Sequence, residues 1–306
     1  MFEIYYKSIR DEEFKEIQEL KTGSWINISD ASMEDLNKVS EISGIDINDL
    51  LDCLDKYEIP RIEHINDNIL VFARHACDLE EGLHTITLAI LFTKNYIITI
   101  SPSSSKIVNN VLTSKTNLAT TQKSKVLLYV LLKITQDFTT RIKQVRNSVI
   151  EQEYRTKTIS NNSIVMLTKN EETLNQYLSS LVPIRNLLEA VRSGRFINLY
   201  EKDHDLLQDL MIAIKQSEDL CTVSIKSIRS LREAYQILFT NDVNKTIKLL
   251  TAITIIFTIP TIIASIYGMN IKLPLQNHPH AFLIIINITI LISLICVFIF
   301  ARKRWL

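Results

Sequence analysis

Hydrophobic and polar positions follow three successive patterns along this chain. Up to about residue 101, short runs rich in β-branched and aromatic residues are separated by turn formers, which is the pattern of strands. Phe2–Tyr6, Ser24–Ile28, Arg61–Ile65, Asn68–His75, Thr85–Phe92 and Tyr96–Ser101 are the predicted strands, with Lys94-Asn95 a turn between the last two. Between the second and third of these the spacing becomes helical. Ser29 or Asp30 can cap a helix over Met33–Ser43 that stops at Gly44. Asp46 or Asn48 can cap a second helix to about Asp55, ahead of Pro60. Hairpin-like spacing predicts a mixed or mainly antiparallel sheet flanked by helices, an α+β domain.

Beyond Pro102 the breakers disappear. From Ser103 to Ile259 the chain holds one proline, Pro183, and one glycine, Gly194, while apolar residues recur at helical spacing, as in Val126, Leu127, Val130, Leu131 and Ile134. Long helices are predicted over Ser105–Leu118, Thr121–Glu153, Asn170–Arg195 and Asp203–Ile266. The last, about 64 residues at ~1.5 Å each, would be on the order of 95 Å long. Pro260 lies inside it, where a kink or local loosening is expected.

The third pattern is a charge-free one. Leu249–Ile271 and Ala281–Ala301 carry no charged residue, and each is apolar over enough residues to cross a bilayer as a helix. Within the first, Thr251, Thr254, Thr258, Thr261 and Ser265 are spaced 3, 4, 3 and 4, so the hydroxyls share one helix face. Asn244, seven residues before Thr251, extends the same line. Such a stripe serves either as hydroxyl glue between packed membrane helices or as the wall of a polar pathway.

Charge sets the orientation. Thirty-four basic residues balance thirty-four acidic ones, and no basic patch with interleaved aromatics occurs, which argues against a nucleic-acid binder. Lys245 and Lys248 precede the first span and Arg302-Lys303-Arg304 follow the second, whereas the connecting loop, 271–280, carries only Lys272. The positive-inside rule then places both termini in the cytoplasm of a multi-pass protein of the cell membrane, with Trp305 as an interfacial anchor against membrane lipid. No basic segment followed by an apolar one marks a cleavable signal at the start. Cys53, Cys77, Cys221 and Cys296 form no CxxC pair, as suits a reducing compartment and packing roles. Gly-rich phosphate loops, GxSxG and HExxH are all missing, so the chain is not expected to be an enzyme. His278-Pro279-His280 does not make a metal site by itself.

The stripe ends on Tyr267-Gly268-Met269-Asn270, about ten residues before the second apolar run. Here the chain resembles the CorA family of divalent-cation channels, in which a Gly-Met-Asn tripeptide closes the first of two C-terminal membrane helices. Asn244, Lys248-Leu249-Leu250-Thr251, Phe257, Pro260 and Ala264 look like that first helix, and Trp25-Ile26-Asn27 and Pro60-Arg61-Ile62-Glu63 look like the family's cytosolic domain. The resemblance implies a homopentamer that passes magnesium, with cobalt and nickel beside it, gated by intracellular magnesium. It implies that Gly268, Met269 and Asn270 form the entrance. Asn270 carbonyls would accept from the waters of a hydrated ion, and Gly268 would permit a non-helical turn. Asn244, Leu250, Thr258 and Thr261 match pore-facing positions, with Leu250 a dewetting gate, and Thr251, Thr254 and Ser265 complete the pore wall. Asp52 and Asp209 match a regulatory metal pair between neighbouring subunits.

The chain departs from the family where some relatives carry methionine and it has Thr258, and its proline comes one residue late, at Pro260. Leu51 replaces an acid that often precedes Asp52, and no acidic residue stands in Ile271–Leu275, soon after the tripeptide. Related zinc carriers tend to have isoleucine where Met269 stands, so the sequence leans to magnesium; the alternatives are a zinc-type transporter or a non-conducting membrane-anchored sensor. The expected division is a cytosolic α/β domain with a helical subdomain over 1–200 and a stalk over 203–246. Pore helix, outer loop, second span and basic tail follow over 247–270, 271–280, 281–301 and 302–306.

Overall fold

In a computed structural model all residues are described except 78–81, 115, 117, 156–160, 276, 277 and 306, together with the side chains of 152–155 and 161. Seven strands form one sheet: β1 (Phe2–Tyr6), β2 (Lys15–Glu16), β3 (Trp25–Ile28), β4 (Arg61–Ile65), β5 (Asn68–Ala76), β6 (Thr85–Phe92) and β7 (Ile97–Ile100). Their order is β2-β1-β3-β7-β6-β5-β4, and β3–β7 is the parallel pair in an otherwise antiparallel ladder. The mixed sheet is therefore as expected. The central strands β3, β6 and β7 are buried along their whole length, which explains why they read as continuous apolar runs rather than alternating ones.

The first helix, α1 (Met33–Ser43), is capped by Ser32, not by Ser29 or Asp30. The Ser32 side chain accepts from the Asp35 amide while Asp35 reaches back to the Ser32 amide, a reciprocal capping box. Gly44 ends α1 at φ 71°, a left-handed position that glycine occupies without a Cβ penalty. Asp46 caps α2 (Ile47–Leu50), which tightens into a 3-10 turn over Leu51–Leu54. Leu36, Val39, Leu50 and Cys53 from these elements pack on Ile26, Leu70, Phe72, Leu91 and Ile98 of the sheet.

The remaining helices are α3 (Lys106–Leu112), α4 (Lys123–Arg155), α5 (Asn161–Arg192), α6 (Glu201–Tyr267) and α7 (Ala281–Arg302). The end predicted for α3, Leu118, is too late. The hydroxyls of Thr113 and Ser114 bond back to the carbonyls of Asn109 and Val111 and close the helix, and residues 115 and 117 of the predicted range lie outside the described ones. By contrast α5 begins nine residues before the predicted Asn170.

Two compact units emerge. The first comprises 1–157 and 165–230; the second comprises 158–164 and 231–306. The first holds the sheet and its core. The second contains the two apolar stretches, and α6 and α7 are both long and apolar enough to cross a membrane. Their side chains stay largely uncovered by the chain itself: Leu250 is 65% exposed, Phe257 70% and Phe282 73%. So much apolar surface on two helices needs a membrane or further protein to cover it.

Candidate functional site

On α6 the hydroxyl stripe survives as a structural feature. Thr251, Thr254, Thr258 and Thr261 are all exposed, and each donates its hydroxyl hydrogen to the carbonyl four residues back. The acceptors are Ile247, Leu250, Thr254 and Phe257, at 2.8, 2.8, 2.7 and 2.9 Å. A threonine hydroxyl has one hydrogen and two lone pairs. With the hydrogen used on its own helix, what each side chain offers outward is an acceptor. A row of acceptors suits the outward-pointing hydrogens of water around a cation and gives an anion nothing to bind.

The stripe also points away from α7. The two helices enclose a groove of about 650 Å³ lined on α6 by Pro260, Ile263, Ala264, Tyr267 and Gly268, and on α7 by Phe282, Ile285, Thr289, Ser293 and others. None of the five hydroxyl residues lines it. Hydroxyl glue between these two helices is therefore not the use of the stripe, and the face remains for another copy of the chain or for water. Asn244, Leu250 and Ser265 are likewise exposed.

The tripeptide closes α6. The Gly268 amide still bonds to Ala264 O at 3.0 Å, and the Met269 amide bonds to Ile266 O at 3.2 Å. Gly268 is not among the glycines with positive φ. The turn does not use glycine's left-handed freedom; a Cβ here would instead stand 3.3 Å from Ala264 O, tighter than usual. Met269 and Asn270 follow as an exposed bend, with Met269 54% exposed. Asn270 is thus an exposed residue just beyond the end of the helix. Beyond it, Tyr267 Oη donates to Pro274 O at 3.4 Å, tying the start of the loop to the helix. Residues 276 and 277 of this loop lie outside the described ones.

Pro260 sits in α6 without ending it. Lacking an amide hydrogen, it leaves the Ile256 carbonyl without its helical donor.

The regulatory candidates, Asp52 and Asp209, both belong to the first unit and both are exposed. Among the described residues no group of three or more His, Cys, Asp or Glu side chains is arranged to hold a metal ion within one chain. Exposed carboxylates are nonetheless the hard oxygen donors that magnesium takes, through its waters or directly. Asp209 lies on α6. Asp52, in the 3-10 turn, accepts a 2.8 Å hydrogen bond from Arg61 Nη2 through Oδ2.

That contact is the part of the site missed by sequence reasoning. Arg61 stands at the start of β4, where it also pairs closely with Glu58, lies 3.4 Å from Glu63 and covers the Phe72 ring at 4.2 Å. Burial works against its charge, but the bond to Asp52 and the charges of Glu63 and Glu58 prevail and hold its pKa above the ordinary arginine value. Next to it, burial and then the Asp52 charge push the Cys53 thiol up to about 12, which leaves it a packing residue.

Residues 21–303 match the family model described as CorA-like Mg2+ transporter protein. The chain is 28% identical over 289 residues to the cobalt/magnesium transport protein CorA of Methanocaldococcus jannaschii, covering 92% of this chain and 91% of that one. It is 24% identical to the protein of the same name from Thermotoga maritima, over all of this chain and 93% of that one. The complete structure of the CorA magnesium transporter from Methanocaldococcus jannaschii superposes with a TM-score of 0.81 at 24% identity, covering 100% of this chain and 99% of that one.

Proposed function

Since this chain belongs to the family of CorA-like Mg2+ transporter proteins, we propose that it conducts magnesium across the cell membrane as a channel built from several copies. The observation that carries this reading is the exposed row of acceptor hydroxyls on α6, turned off the α7 groove and ending at Asn270. One chain's row cannot enclose a pore, so the copies must meet along this face; the family resemblance makes the assembly a homopentamer. The relatives' name, cobalt/magnesium transport protein, supports magnesium as the cargo and cobalt as a second one, with nickel beside it by resemblance.

Each residue then has a part. Asn270 carbonyls ring the outer mouth and accept from the ion's waters without stripping them, with Gly268 and Met269 shaping the bend that presents them. Thr261, Thr258, Thr254 and Thr251 continue the acceptor lining inward, joined by Ser265 near the mouth and Asn244 at the inner end. Leu250 forms the apolar constriction that closes by dewetting. Both termini lie in the cytoplasm, as the basic residues flanking the spans require. Inward movement needs no nucleotide: a dication crossing 100 mV gains ~4.6 kcal/mol, twice the single-charge value.

Gating rests on Asp52 and Asp209. Magnesium shared between Asp52 of one copy and Asp209 of the next would neutralise two mutually repelling carboxylates and hold the copies closed. When internal magnesium falls, that restraint is lost. The two states must differ in magnesium affinity for the ion to shift them.

The test is flux into proteoliposomes under an inside-negative potential, with magnesium, cobalt and zinc compared and no nucleotide present. Potential-driven magnesium entry is expected. A folded, oligomeric protein that passes no magnesium would make it a membrane-anchored sensor, and zinc entry without magnesium entry would make it a zinc carrier on the same scaffold.

A further inference from the structure

We infer that Arg61 is a built-in competitor for the cation at Asp52, and that its hold on Asp52 sets how much magnesium the closed state requires. The inference rests on the reading of Asp52 as a magnesium ligand given above. Its basis is the geometry of one guanidinium among three carboxylates. Arg61 Nη2 lies 2.8 Å from Asp52 Oδ2, Arg61 Nη1 pairs with Glu58, and Nε lies 3.4 Å from Glu63 Oε2.

The three acids are not equally available. The Glu58 side chain is 17% exposed and that of Glu63 35%, whereas the Asp52 side chain is 54% exposed. A hydrated dication arriving from solvent therefore meets Asp52 first and finds a cation already on one of its oxygens. Arg61 is anchored independently of that contact, by Glu58, by Glu63 and by stacking over Phe72 at 4.2 Å. It can release Asp52 without becoming an unpaired charge. One fixed positive charge that loses one of three partners is a modest, reversible cost, suited to tuning rather than to blocking.

The consequence is a direction. With Arg61 in place, magnesium binds Asp52 only after displacing a guanidinium and against the repulsion of its charge. Without it, Asp52 is free and the local charge is more negative by one. The magnesium concentration needed for closure must then fall. An exposed ion pair is worth up to about 1 kcal/mol, so the expected fall is roughly fivefold.

The experiment uses the full-length protein in detergent or nanodiscs and reads the magnesium concentration giving half-maximal protection of the cytosolic unit against protease. Arg61→Gln should lower that midpoint roughly fivefold. Arg61→Lys, whose single ammonium cannot reach three carboxylates together, should lower it by less, and it carries the test if glutamine at this position prevents folding. A folded variant with an unchanged or higher midpoint overturns the inference, because Arg61 would then be holding Asp52 in place for the metal. Asp52→Asn run in parallel separates the two levels. Protection lost in Asp52→Asn with no fall in the Arg61 variants defeats the competitor alone, whereas protection retained in Asp52→Asn defeats the reading of the site and the competitor with it.

Discussion

Acid should loosen the unit that holds the sheet through one residue, His75. It lies on β5, is 3% exposed, and its Nδ1 is 2.9 Å from Ala76 O, so Nδ1 is the protonated nitrogen. Nε2 is buried with no hydrogen-bond partner among the described residues. A second proton would sit on Nε2 as a buried donor without an acceptor. Burial, with the charges of Arg141 and Arg74 adding to it, accordingly lowers the pKa of His75 to about 4, although the Ala76 carbonyl pulls the other way. The unfolded chain takes up this proton near the ordinary value of 6.5 and the folded chain near 4. Stability is therefore fully present above about pH 6.5 and falls with pH until the folded pKa is reached. The loss is about 2 kcal/mol at pH 5 and on the order of 3 kcal/mol by pH 4. Denaturant unfolding of the full-length protein, followed by fluorescence of the fully buried Trp25, measures it at pH 7.5, 6 and 5. His75→Gln should remove most of the slope between pH 6.5 and 5. A parent curve that is flat over that range, or a variant that keeps the slope, would refute the reasoning. Protease assays of magnesium response belong above pH 7, clear of this window.

Three further outcomes are expected. Thr258→Val keeps the shape of the stripe and removes an acceptor; at about 1 kcal/mol per hydrogen bond, magnesium flux should fall roughly fivefold, with Thr258→Ser near the parent, and an unchanged valine variant contradicts the acceptor row. A cysteine at His278, in an otherwise cysteine-free chain, should react with an impermeant thiol reagent from outside and one at Lys303 should not; the reverse pattern inverts the topology. Asp52→Asn combined with Asp209→Asn should abolish magnesium-induced protease protection yet leave conduction, and protection equal to the parent's would move the sensor elsewhere.

What could be read from the sequence follows physical strength of pattern. The strands Arg61–Ile65 and Thr85–Phe92 and the helix Met33–Ser43 were legible to the residue, because β-branched runs and a Gly44 stop fix them locally. The charge-free spans were legible because composition and length alone mark a helix that is apolar all round. β2 was not: Lys15 and Glu16 are exposed and polar, and they form a strand only because Tyr5 and Tyr6 lie alongside to pair with. The early start of α5 was missed since it opens on Asn161, Asn162 and Ser163, and among the described residues of its first turns only Ser163 and Leu167 are buried.

The candidate site divides in the same way. Spacing alone places Thr251, Thr254, Thr258, Thr261 and Ser265 on one face, since a helix converts sequence interval into angle. It does not say which way their hydroxyl hydrogens turn, nor that the face is rotated off the α7 groove. Those two facts take the stripe off the α7 interface and leave its hydroxyls as outward acceptors. The contact of Arg61 with Asp52 joins a 3-10 turn to the next strand across Pro60, and no periodicity announces it. Charged residues in loops and at strand starts carry little local pattern, so their partners emerge only from the fold.

The measurement that bears most directly on the central claim is magnesium entry through Asn270→Ala. Parent and variant are reconstituted at equal protein density, matched on a sizing column as the same oligomer, and driven by an inside-negative potential. The account requires magnesium entry in the parent and its loss in the variant, because the ring of carboxamide oxygens that receives the hydrated ion has gone. Magnesium entry at the parent's rate through an intact Asn270→Ala oligomer would contradict it.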